Sequence, residues 1–181
     1  MSKIEFSHTR PTFSLIAAVH SDTYAIAVDG GMPWDRPDDL AHFQELTSGD
    51  TILMGRKTWE TLPVKPLPDR CNVVLSRSEE FAKDVRETDV VVAFSVTGAL
   101  RAVQPYKRVW IMGGAEIYKQ FAPYVDDMHI TWVWEREGED FGASEGNRIE
   151  LPRNVRNLKK YAFKTEERDV RDGFAFEHAV R

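Results

Sequence analysis

The run Val109–Trp110–Ile111–Met112–Gly113–Gly114–Ala115–Glu116–Ile117–Tyr118 decides the architecture. Val109–Met112 is continuously apolar, as a strand buried on both faces of a parallel sheet must be. Two glycines follow, and then a helix. Without side chains at that corner, backbone can touch a ligand at the carboxyl edge of the sheet. The pair is not G-x-G-x-x-G, so alone it is weak evidence for a nucleotide.

The same alternation recurs outward from this run. Phe13–His20, Thr51–Met54, Asn72–Leu75 and Val90–Phe94 read as buried strands. Pro37–Leu46, Lys57–Leu62, Val96–Val103 and Ala115–Phe121 read as helices between them. Strands alternating with helices predict an α/β domain with a mainly parallel sheet. The last third reads differently. Met128–Trp134, Leu158–Thr165 and Phe174–Val180 are expected as strands with no helix between them, and residues 135–157 as a long surface loop. Arg171–Asp172–Gly173 is a turn, so the sheet should end in an antiparallel hairpin. The expectation is one mixed sheet of eight strands flanked by about four helices. Residues 1–12 are expected to form a flexible leader before a single domain over 13–181.

The chain has 181 residues, 42% hydrophobic and 29% charged, enough to bury a core and stay dissolved. Its net charge of −5 and lack of a basic stripe disfavour nucleic acid as a partner. No apolar run approaches the ~20 residues of a membrane span, so no membrane partner is expected. The polar N-terminus carries no secretory pattern. Cys71 is the single cysteine and sits in an apolar run, where a buried, inert thiol is expected. These features agree with a cytoplasmic location. No two of His8, His20, His42, His129 and His178 have the spacing of a helical or finger-type zinc site, so no metal is expected.

Three further stretches could carry chemistry. In Met32–Pro33–Trp34–Asp35–Arg36–Pro37–Asp38–Asp39–Leu40, Pro37 suits the first helical position and both aspartates suit the first turn. Asp39, Phe43 and Leu46 fall at i, i+4 and i+7, which puts Asp39 but not Asp38 on the buried stripe. Such a carboxylate starts the helix, holds a cationic or amide-like ligand, or manages a proton. In Gly55–Arg56–Lys57–Thr58–Trp59–Glu60, a strand gives way to a helix that opens with two cations. That is a phosphate cradle or a solvated basic turn. In Leu67–Pro68–Asp69–Arg70, a stiff turn delivers Arg70 beside apolar residues, where it meets an internal carboxylate or that of a ligand.

Taken in order, Leu15–Ile16–Ala17–Ala18, Met32–Pro33–Trp34 with Asp39, the Gly55–Glu60 stretch, Leu67–Arg70, Gly113–Tyr118 and Ile130–Thr131 resemble the dihydrofolate reductase family, in its monomeric chromosomal type. The resemblance runs from about Phe13 to the C-terminus. It implies NADPH-dependent reduction of 7,8-dihydrofolate to tetrahydrofolate, with hydride going to pterin C6 and a proton to N5. It also implies antifolate inhibitors as ligands and a monomer.

Residue roles follow from the same resemblance. Asp39, Trp34 and Thr131 would form the catalytic group, with Asp39 and Thr131 on the pterin amino edge and Trp34 orienting a water. Substrate would also meet Ile16, Ala18, Leu40, Phe43, Leu62, Leu67, Met112 and Tyr118, with Arg70 on the glutamate carboxylate. NADPH would meet Ala18, Ile26, Gly55, Arg56, Lys57, Thr58, Leu75, Met112, Ala115, Glu116, Ile117 and Tyr118. Gly113 and Gly114 would be joined by a cis peptide at the cofactor, and Ser76 and Arg77 would receive the 2′-phosphate. Tyr24–Met32 aligns with a mobile loop, tied down by Asp140 or a residue near Arg148. Alternatives are a same-fold pyrimidine reductase of riboflavin synthesis, disfavoured by Trp34, Asp39 and Arg70, and an inactive folate or nucleotide binder.

Overall fold

In the computed structural model, residues 10–142 and 146–181 are described. In chain order, β1 (Thr12–His20) and β2 (Ala25–Val28) precede α1 (Pro37–Thr47). Then come β3 (Thr51–Gly55), α2 (Arg56–Thr61), β4 (Cys71–Leu75), α3 (Glu79–Asp84), β5 (Val90–Ala93), α4 (Val96–Ala102), β6 (Arg108–Ile111) and α5 (Ala115–Phe121). The chain closes with β7 (Asp127–Val133), β8 (Arg148–Glu150), α6 (Arg153–Tyr161), β9 (Lys164–Arg171) and β10 (Phe174–Val180).

Eight strands form one sheet in the order β5-β4-β3-β6-β1-β7-β10-β9. The six from β5 to β7 run parallel; β10 is antiparallel to both β7 and β9. Side chains alternate across the pleat, so β1 serves two cores. Leu15, Ala17 and Val19 face a layer containing Ala99 of α4, Phe121 of α5 and Val155 of α6. Ile16 faces the other layer, with Trp59 of α2, Phe81 of α3 and Phe43 and Leu46 of α1. Helices therefore cover both faces, which is why the central strands read as unbroken apolar runs.

The last third departs from expectation in two places. Leu158–Thr165 is not a strand: α6 occupies Arg153–Tyr161, and the strand begins later, at Lys164. Leu158 packs against the core beside buried Val155, three residues earlier, as one stripe of an amphipathic helix. β9, Lys-Thr-Glu-Glu-Arg-Asp-Val-Arg, is exposed at every position because it is the sheet edge, so it shows no alternation to read. The expected 135–157 loop also contains β8, which pairs with β2 in a separate two-stranded ribbon. With α3, the described residues hold six helices rather than four. The Arg171–Gly173 turn joins β9 to β10 as expected, with Gly173 at φ +81°.

Of the expected leader, residues 1–9 lie outside the described residues. Arg10 pairs with Asp126 at 2.5 Å, and Thr12 already belongs to β1. Cys71 is half-buried rather than buried, its thiol donating to the Tyr106 hydroxyl at 3.1 Å.

Candidate active site

Pro37 opens α1, and Asp38 and Asp39 stand in its first turn. The helical period separates them as the stripe predicts. Asp38 is exposed and 3.5 Å from Arg171, whereas Asp39 turns toward the sheet. Burial raises the Asp39 pKa above its ordinary value, and the Thr131 hydroxyl, donating toward the carboxylate, opposes that rise. Asp39 has no cationic partner among the described residues. Its negative charge reaches the phenol of Tyr118, whose pKa is raised mainly by burial and secondly by Asp39. That phenol is buried and donates to the Ile16 carbonyl at 2.8 Å. Residues of β1, β7 and α5 thus gather about one carboxylate.

An apolar wall adjoins it. Phe43, Leu62, Leu67 and Met112 are partly exposed and pack against buried Ile16 and Ile52. Leu40, expected beside them, is 56% exposed and stands apart from that cluster. At the outer end, the Arg70 guanidinium donates to the Thr47 hydroxyl at 3.0 Å and the Pro68 carbonyl at 2.8 Å, and lies over the Phe43 ring. No carboxylate pairs with it among the described residues, so the internal salt bridge that the sequence left open is absent there. At the inner end, Trp34 is buried among Val133, Phe174 and Phe176, with Ala18 and Phe141 against them. Its indole nitrogen is buried without a hydrogen-bond partner.

A second set of residues lies along the carboxyl ends of β3 and β6, which are adjacent parallel strands. The peptide Gly113–Gly114 is cis. The Gly55 amide donates to the Gly113 carbonyl at 2.8 Å, closing the two strand ends together. A Cβ on Gly113 would lie 2.9 Å from the Tyr118 ring, and one on Gly114 would lie 3.4 Å from Thr58 Oγ1. The helix starts differ in a telling way. α3 and α4 are capped by the hydroxyls of Ser78 and Ser95. α2 and α5 begin after Gly55 and Gly114 with no side-chain cap, which leaves amides for an anion. Lys57 and Arg77 are exposed beside them with no anionic partner among the described residues. Arg56 is instead engaged by Glu60 at 2.6 Å. Ser76 is buried at the end of β4, beside half-buried Leu75. Glu116 is exposed, and buried Ile117 packs under Gly55. The glycine pair, the two bare helix starts and the free cations fit a dinucleotide phosphate.

The segment after β1 is held from two sides. Val28 pairs with Arg148 and Ala27 with Ile149, while Asp29 and Asn147 exchange hydrogen bonds at 3.1 and 3.2 Å. The residues near Arg148 make this tie. Asp140 accepts from the Gly142 amide at 2.8 Å within its own loop. Ile26 is half-buried against the core. Arg36 escaped the sequence reading, because nothing in its pattern distinguishes it from a solvated charge. It is buried, forks onto Glu139 at 2.5 and 3.1 Å, and lies 5.1 Å from the Phe141 ring centroid. This fork and the Arg136 amide hold the Glu139 carboxyl down at about 2. The Phe141 ring beneath Arg36 packs in turn against Trp34, with centroids 6.0 Å apart.

Fold and crevice together define a class: an α/β domain with an inward-turned acid on α1 beside an apolar wall, and two neighbouring helix starts without side-chain caps along the carboxyl edge of its sheet. Comparison with known proteins narrows the class to a family. The family model described as "Dihydrofolate reductase" matches residues 12–166. A dihydrofolate reductase of Neisseria meningitidis serogroup A is 39% identical over 171 residues, 93% of this chain and 97% of that protein. One from Mycobacterium tuberculosis is 42% identical over 106 residues, 58% of this chain and 61% of its own. Among solved structures, dihydrofolate reductase from Enterococcus faecalis in complex with NADP(H) and the ligand RAB-propyl superposes with TM-score 0.76. It is 25% identical, covering 94% of this chain and 96% of that one. The chain belongs to the dihydrofolate reductase family, which are NADPH-dependent oxidoreductases.

Proposed function

We propose that this chain reduces 7,8-dihydrofolate with NADPH and that the residues assembled above divide the work. The observation that carries the reading is Asp39: a carboxylate drawn out of water, with Thr131 beside it and no cation to neutralise it among the described residues. A buried charge of this kind needs a ligand that donates hydrogen bonds. The amino and N3 edge of a pterin does so. Phe43, Leu62, Leu67, Met112 and Ile16 wall the pterin and aminobenzoyl rings, and Arg70 takes the glutamate carboxylate in a charge-assisted fork.

Lys57, Thr58, Ser76 and Arg77, with the amides after Gly55 and Gly114, would hold the NADPH phosphates. When bound, NADPH supplies the hydride; the protein supplies closeness, orientation and a dry pocket. Asp39 polarises the pterin and raises the basicity of N5, and a water delivers the proton. The unpartnered Trp34 nitrogen donates to an ordered water at the pterin oxygen edge. Arg36, clamped by Glu139, steadies the Phe141 ring that packs against Trp34.

The proposal includes a monomer in the cytoplasm, without nucleic-acid or membrane partners, and binding of antifolates. The acidic net charge of −5 supports it, and no described helix is long and apolar enough to cross a membrane. Oxidation of NADPH, followed with and without micromolar dihydrofolate, tests the activity. A substrate-dependent rate is expected. A rate seen only with a pyrimidine ribitol phosphate would replace this reading with the riboflavin-type one.

A further inference from the structure

Sequence spacing separates Asp127 and His129 from His178, but strand pairing joins them. Asp127 and His129 are two apart on β7 and so share a face. His178 of β10 lies directly opposite His129 in the antiparallel register. The two imidazoles stack with centroids 4.2 Å apart. One potential ligand atom from each of the three residues lies within 4.8 Å of the others.

The atoms nearest one another are the ones left without partners. Asp127 Oδ1 and His129 Nε2 are buried and make no hydrogen bond, although they face each other at 3.5 Å. That separation is long for a hydrogen bond. It suits two ligands of one ion: bonds of about 2.0–2.2 Å at a tetrahedral angle put donor atoms about 3.4 Å apart. The other carboxylate oxygen, Oδ2, is already engaged by Arg108 at 3.3 Å, which leaves Oδ1 free for a cation. Trp110 packs edge-on against His129 from β6 and restricts its ring. The His178 side chain is 30% exposed, so the cluster opens to solvent on that side. Glu166 on β9 stands 3.9 Å from His178 Nδ1.

We propose that Asp127, His129 and His178 form a site for a divalent transition metal of the zinc class, with water or Glu166 completing the coordination. Two imidazoles and one carboxylate are a zinc donor set and leave a position open. Along β7 the site stands two residues before Thr131, and direct metal titration reads its occupancy without turnover.

The test is titration of tag-free, chelator-treated full-length protein with Zn²⁺ by calorimetry, and with Co²⁺ by visible absorption. The wild type should bind one ion, and Co²⁺ should develop the intense ligand-field bands of a low-coordinate site. His178→Gln and Asp127→Asn should each weaken binding by about tenfold or more, as loss of a ligand requires. His178 is partly exposed, so its variant should fold, which circular dichroism verifies. Absence of saturable uptake would overturn the proposal. So would uptake that both variants retain, since it would place the ion elsewhere, for example at His20 and Glu135.

Discussion

Replacing Gly113 by alanine tests how tightly the glycine pair is fitted to the carboxylate site. Gly113 sits at φ +99°, where an L side chain costs roughly 1–2 kcal/mol. The new methyl would lie 2.9 Å from two ring carbons of Tyr118 and 3.0 Å from its oxygen. That ring cannot swing away cheaply, because it is buried and its hydroxyl holds the Ile16 carbonyl at 2.8 Å. Overpacking of this kind adds roughly 1–3 kcal/mol. Together the two effects give about 2–5 kcal/mol, a large share of the ~5–15 kcal/mol that holds a domain folded. Gly55→Ala is the internal control. Its Cβ would meet Ile117 at 3.0 Å, but Gly55 has an extended backbone at φ −83°, so the cost should be only about 1 kcal/mol. Urea unfolding with linear extrapolation measures both. Equal losses in the two variants, or a loss below ~1 kcal/mol for Gly113→Ala, would refute the packing argument.

Two other predictions concern charge. Arg70→Ala removes a charge-assisted hydrogen bond to the substrate glutamate, worth about 1.5–3 kcal/mol, so KM for dihydrofolate should rise roughly 10- to 150-fold with little change in kcat. A substrate lacking the glutamate should show almost no difference between the two proteins, and steady-state kinetics on both substrates checks this. The second prediction is a pH dependence of stability. Burial raises the folded-state pKa of Asp39 above its ordinary 3.8. The stability linked to its protonation is therefore full below 3.8 and lost as pH climbs through the folded value. Asp39→Asn does not titrate. Ligand-free Asp39→Asn should gain stability relative to wild type across that rise and hold the gain at neutral pH. Thermal melts from acid to neutral pH would show the opposite slope if burial did not dominate.

Legibility in the sequence followed burial. The central strands and the separation of Asp39 from Asp38 were readable because each depends on a periodic contrast between core and water. Lys164–Arg171 was unreadable because an edge strand exposed on both faces has no such contrast. The ribbon of Ala25–Val28 with Arg148–Glu150 joins two segments far apart in the chain, and neither carries a signal for the other. The same holds for the Arg36–Glu139 clamp and for His129 opposite His178: a contact made by register or by a folded loop leaves no trace in local spacing. Arg56, read as a phosphate contact, also forms an exposed pair with Glu60 one turn later, which its spacing allows on any helix.

Turnover of Asp39→Asn with dihydrofolate and NADPH near pH 7 bears most directly on the role given to the α1 carboxylate. Asparagine keeps the shape but cannot polarise the pterin, so the rate should fall by ~10²-fold or more while NADPH affinity stays at the wild-type value. Turnover equal to wild type at that pH would show that the reaction proceeds without this acid.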